Sequence, residues 1–155
     1  MELFPENIKV AKGKISFIGI PSFAQSAGEF PICIWFEDIL WENQQSELFL
    51  GFSIDAGFES PETVIDPFSY LENNFRLLHG NTEIIRDEDN SVYFGHRHNM
   101  ISVEKINFGN IRNGFIETSV ELYFDLESER VGKSFTKNIN LQLEIKTNPE
   151  ELTFA

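Results

Sequence analysis

Apolar and polar residues alternate along most of the chain. Over about 9–19, Ile15, Phe17, Ile18 and Ile20 stand among small and polar neighbours up to Pro21, which predicts a strand with Gly13 and Gly19 as candidate bulges. Phe30 to Phe36 is a short, nearly continuous apolar run and predicts a strand covered on both faces. Leu48, Leu50, Phe52 and Ile54 alternate with Phe49, Gly51 and Ser53, a third strand ending at the Ala56-Gly57 turn. The period then changes. Phe68, Leu71, Phe75 and Leu78 are spaced as one stripe of an amphipathic helix, with Asp66 placed as N-cap, Pro67 at the first position, His79 in the last turn and Gly80 beyond the end. That spacing predicts a helix over about 67–79.

Strand patterns resume after it. Thr82 to Arg86 and Ser91 to Gly95 flank the polar Asp87-Glu88-Asp89-Asn90, which predicts a hairpin. Met100 to Phe108 is followed by Asn113-Gly114, a dipeptide suited to a type I′ turn. Beyond the turn, Ile116, Val120, Leu122, Phe124 and Leu126 oppose Glu117, Glu121 and Asp125. The final strand is the most regular: Phe135, Lys137, Ile139, Leu141, Leu143 and Ile145 alternate with Thr136, Asn138, Asn140, Gln142 and Glu144. The expected fold is α+β: a mostly antiparallel, curved sheet of about seven to eight strands, with one main helix at about 67–79 packed on it. No repeat and no Pro/Gly/Ser-rich linker interrupts the pattern, so 1–155 is expected to be one domain.

Charge changes the picture more than composition does. The chain holds 25 acidic and 12 basic residues, a formal charge of -13, which argues against a nucleic-acid partner. The excess is local. From residue 15 to residue 75 there is no lysine or arginine, while Glu29, Glu37, Asp38, Glu42, Glu47, Asp55, Glu59, Glu62, Asp66 and Glu72 all fall there. The remaining 94 residues carry 15 acids against 12 bases. Such a run is self-repelling unless something offsets it. It predicts a surface that meets a basic protein partner, with Glu37, Asp38, Trp41, Glu42, Glu47 and Asp55 as contacts, the tryptophan serving as an aromatic anchor among charges. Plain solvation or a calcium site is the competing reading, the latter without a D-x-[DN]-x-[DN]-G loop to support it.

Candidate chemistry is sparse. His96-x-His98, with Glu104 the next acid on a predicted strand and His79 elsewhere, is the sole metal candidate, and its spacing selects no metal, so no metal or cofactor is expected. Cys33, the single cysteine, lies in an apolar strand and reads as an inert buried thiol, excluding an intrachain disulfide. No nucleophile elbow, P-loop or dinucleotide fingerprint is present, and pairs such as Glu37-Asp38 arise readily among so many acids, so no enzyme activity is expected. The alternative function is a small-molecule or metal-binding α+β domain, with a pocket between helix and sheet or with His96 and His98 as the metal candidates. The segment Met1–Asn7 lacks a basic n-region and apolar core, and no run approaches a membrane span, so a cytoplasmic location without membrane contact is expected.

The segments Ile101-Ser102-Val103-Glu104-Lys105-Ile106-Asn107-Phe108-Gly109-Asn110, Asn113-Gly114-Phe115-Ile116 and Val120-Glu121-Leu122-Tyr123-Phe124-Asp125 form a strand–turn–strand layout in a small, acidic, Phe-rich chain. In this the chain resembles the bacterial immunity proteins that neutralise polymorphic or contact-delivered toxins. The resemblance implies a stoichiometric inhibitor of one cognate toxin, such as a nuclease with a basic active site, and carries over no site residues.

Overall fold

The computed structural model describes residues 3–19, 28–41, 44–57, 66–77, 84–87, 91–94 and 97–148. Eleven strands are present among the described residues: β1 (Val10–Ile15), β2 (Glu29–Phe36), β3 (Ile39–Trp41), β4 (Gln44–Ser46), β5 (Phe49–Asp55), β6 (Phe75–Leu77), β7 (Ile84–Asp87), β8 (Ser91–Phe94), β9 (Arg97–Arg112), β10 (Phe115–Phe124) and β11 (Phe135–Ile145). Nine of them form one sheet in the order β6-β9-β10-β11-β1-β2-β5-β7, with β8 also on β9, and β3-β4 make a separate hairpin. Among the described residues all pairings are antiparallel except β1 with β11. The sheet curls into a half-barrel, and β8 lies against β4 and β5, bringing distant parts of the strand order together.

The expected α+β class is corrected to mostly β: strands make up 60%, and among the described residues no helix reaches seven residues. The helical stripe at about 67–79 dissolves into a 3-10 turn at Pro67–Tyr70 and the strand β6. Local polar groups end the turn. The Ser69 hydroxyl donates to the Asp66 carbonyl at 2.8 Å, the Asn74 amide donates to the Tyr70 carbonyl, and Asn73 adopts a left-handed φ of 59°. Short polar side chains of this kind compete with the helical ladder. The edge of β9 supplies partners instead: Asn73 N–H bonds Gly109 O, and Phe108 N–H bonds Asn74 O at 2.7 Å. Phe68 packs on the core with its ring 5.5 Å from that of Phe30, and Leu71 is fully buried, but Phe75 is 56% exposed. Asp66 precedes the turn without a side-chain cap, while Leu78, His79 and Gly80 lie outside the described residues. The expected hairpin of 82–86 with 91–95 is also redrawn, since β7 pairs with β5 and β8 pairs with β9.

Curvature comes from β9. Its buried residues run Ile101, Val103, Ile106 and Phe108, with Ile111 packed behind them, a spacing of two, three, two and three. Each spacing of three matches a register shift against β10, between Glu121 and Leu122 and between Ile116 and Thr118. Bulges bend a strand and raise its twist. The Asn113-Gly114 turn has φ of 53° and 81°, as a type I′ turn requires. In β10, Ile116, Thr118, Val120, Leu122 and Phe124 are buried on the inner face. Lys137 sits on the dry side of β11 because its ammonium donates to the Pro5 carbonyl at 2.7 Å, fastening the turn at Pro5–Asn7 to the sheet.

The β1 bulge falls between Val10 and Lys12, not at Gly13. Gly13 has a different reason. A Cβ there would stand 2.5 Å from Leu143 Cδ2 and 2.8 Å from Leu141 Cδ1, so the parallel β1–β11 seam closes only over a residue without a side chain.

Candidate functional site

The predicted contact residues divide between two ends of the fold. β2 leaves the sheet after Phe36, whose N–H bonds Leu48 O at 3.1 Å, and Glu37 N–H bonds Lys9 O at 2.8 Å. The chain then turns into β3 and β4, with Ile39 opposite Ser46. Ile39, Ser46 and Leu48 are buried, so one side of this hairpin covers the core. Its other side presents Leu40, 63% exposed, and Gln45, whose amide donates to the Asp38 carboxylate. Glu37, Asp38 and Glu47 are exposed in the strands' two connections to the sheet. Trp41 ends β3 in register with Gln44, and Glu42 lies outside the described residues. Asp55 stands apart. It ends β5, six residues beyond Phe49, roughly 20 Å at strand rise, and its carboxylate accepts the Gly57 N–H at 3.0 Å.

Other acids of the cation-free run serve the fold. Glu29 is fully buried in register with Asp55. Glu72 accepts the Ile111 N–H at 2.8 Å, closing a backbone donor on the free edge of β9. The run is therefore distributed, and the described part that gathers into one exposed group is Glu37, Asp38 and Glu47.

The histidine motif falls largely outside the described residues. His79 and His96 lie outside the described residues, and His98 pairs with Tyr93 in the β8–β9 ladder. Among the described residues no three His, Cys, Asp or Glu side chains gather as a metal site. Cys33 is buried in β2. Among the described residues no helix of seven or more residues lies on the sheet to wall the expected pocket between helix and sheet.

The alternation in β11 marked a wet face but not what faces it across the sheet. On the outer face, register places Asn107 beside Ser119 and Ser119 beside Asn140, one row across β9, β10 and β11. Two shallow hollows of about 500 and 380 Å³ share these three residues. Their floor is low because the row's centre is a serine and Gly109 lies beside it. A Cβ on Gly109 would be 2.8 Å from Glu117 Oε2.

Farther along the outer face the surface becomes basic. Lys12 and Lys14 lie 5.0 and 5.6 Å from the centre of the Trp35 ring, which tilts against Phe49 at 5.3 Å. The Lys146 ammonium pairs with Glu144, and that hydrogen bond holds the Glu144 carboxyl below the usual carboxylate range against an opposing cost of desolvation, with the charges of Lys146, Lys14 and Lys12 adding to the lowering. No helix among the described residues is long and apolar enough to cross a membrane. No protein-family model, curated protein or solved structure matches the chain.

Proposed function

We propose that the chain is an acidic, non-catalytic binding protein of the immunity type, acting in the cytoplasm and capturing a basic protein partner through the β3–β4 hairpin. The observation that carries this reading is Leu40, 63% exposed on a hairpin outside the main sheet, beside the exposed carboxylates Glu37, Asp38 and Glu47. An apolar side chain rimmed by charge of one sign suits a two-part contact. The carboxylates accelerate encounter with a cationic surface, and the apolar residue slows departure once water is excluded. Where the partner's cationic groups form a phosphate-binding cleft, the same carboxylates stand in for phosphates, and inhibition is by occupancy.

The test begins with basic proteins encoded beside the gene, co-expressed with this chain and weighed by light scattering as a one-to-one complex. Glu37→Gln, Asp38→Asn and Glu47→Gln are then combined and compared with Glu6→Gln, Glu127→Gln and Glu129→Gln. Both variants remove three exposed charges. The hairpin variant should associate at least about tenfold more slowly at low salt, with the difference fading as salt rises. Leu40→Ala should raise the dissociation rate. Equal losses in the two charge variants would mean that net charge, not the hairpin, governs capture.

A further inference from the structure

We infer that the outer face of β9, β10 and β11 is a binding site for a neutral oligosaccharide, a role separate from partner capture by the hairpin. The row Asn107–Ser119–Asn140 is fixed by strand pairing, and Asn138 and Gln142 stand on the same face one alternation to either side of Asn140. At strand spacing, Asn107 and Asn140 are about 10 Å apart across the low serine. An amide offers two donors and an acceptor in one plane, so it can give to one hydroxyl and accept from its neighbour. Vicinal diols on a pyranose ring present that pattern. Phe75 pairs with Asn107 in register, is 56% exposed, and closes one end of the smaller hollow. An exposed ring beside amides suits a sugar, whose faces carry C–H groups and whose rim carries hydroxyls.

Charge and backbone narrow the occupant. The two carboxylates at the hollows have cations of their own: Lys105 Nζ is 3.6 Å from Glu121 Oε2, and Arg112 Nε is 3.8 Å from Glu117 Oε1. A site balanced in this way does not select for an ion. A peptide adding as a strand requires an open edge, whereas here the backbone groups are spent in the β9–β10–β11 ladders. A protein surface requires an apolar centre, and the centre here is amide and hydroxyl. Each hollow, at about 500 and 380 Å³, falls in the ordinary size range for small ligands, about 300–1,000 Å³.

The test titrates the full chain with maltohexaose, cellohexaose and chitohexaose, and with a hyaluronan hexasaccharide as an anionic comparison. It follows the side-chain amide signals by NMR and the heat by calorimetry. One neutral hexasaccharide at least should bind with Kd near or below about 1 mM, shifting the side-chain amides of Asn107, Asn138, Asn140 and Gln142. Asn107→Ala with Asn140→Ala should weaken that binding by about tenfold or more, equivalent to about 1.4 kcal/mol. Ser119→Val, which raises the floor while keeping every amide, should weaken it as well, and Thr136→Ala, on the same face beyond the hollows, should not. Thermal melting verifies that each variant is folded. The inference is overturned if no neutral probe binds at about 10 mM, if the hyaluronan fragment binds more tightly, or if the folded amide variants bind as the parent does.

Discussion

Leu71 and Phe75 belong to the same apparent helical stripe, yet they lie in opposite environments. Truncating each to alanine separates the two architectures. Leu71 is 0% exposed within the core, so Leu71→Ala loses transfer energy and leaves a cavity that the curled sheet cannot easily collapse, about 3–5 kcal/mol. Phe75 is 56% exposed on a three-residue strand. Of the ~150–250 Å² a phenylalanine can bury, under half is hidden. At ~25 cal/mol per Å², reduced for the area an unfolded chain already hides and the area alanine retains, the loss is about 1–2 kcal/mol without a cavity. With a urea slope near 2 kcal/mol/M, the Leu71 midpoint should fall by about 2 M and the Phe75 midpoint by less than about 1 M. A helix at 67–79 packed by its stripe would make the two losses similar. Comparable midpoint shifts, or a Phe75→Ala loss of about 3 kcal/mol or more, would refute the turn-and-strand account of this segment.

Two further outcomes follow from the β1–β11 seam and its flank. Gly13→Val should destabilise by about 1–3 kcal/mol or more, because its Cβ meets Leu141 and Leu143; near-parental thermal stability would show that the seam yields easily. Lys146→Met should return the Glu144 carboxyl toward its ordinary range in a carbon-detected NMR titration, since the Lys146 hydrogen bond is the main cause of its depression. The folded pKa lies below the unfolded one, so the pair's contribution is present above the ordinary carboxylate range and is lost as pH falls through the depressed value. An unmoved Glu144 titration in the variant would assign the depression to Lys12 and Lys14 instead.

The strands were legible where one face is wet and the other dry. In β10 and β11 the alternation placed nearly every side chain, and Asn113-Gly114 located the turn between β9 and β10. The segment 67–77 misled because a stripe of apolar residues at helical spacing is also produced by a turn and a strand that use only some of those residues. The decisive signal was Asn73-Asn74 in the middle of the stripe, two residues that tolerate turns and interrupt helices. β9 held a second overlooked signal: apolar residues at 101, 103, 106, 108 and 111 break strict alternation twice, and each break is a bulge. Strand partners were not legible in the same way. A polar run between two strands indicates a turn, but which ladders β7 and β8 join depends on the curl of the whole sheet.

The acidic run shows why a one-dimensional charge count overstates a surface. Along the chain its ten carboxylates share one property, the lack of a neighbouring cation. In space their backbones decide their use. Glu72 is positioned by a turn against the edge of β9 and satisfies a strand donor, Asp55 closes the turn at Gly57, and Glu29 is taken into the interior by the pairing of β2 with β5. Glu37, Asp38 and Glu47 remain outward because a hairpin carries them off the sheet just where Ile39 and Leu48 turn inward to cover the core. The same placement leaves Leu40 in water, so one short excursion both closes the core and holds three carboxylates outward beside an exposed apolar side chain. Under the proposed function, a deletion of the hairpin would therefore lose stability and binding together. Point substitutions on its outer side, at Leu40 and the three carboxylates, are the changes that separate the two.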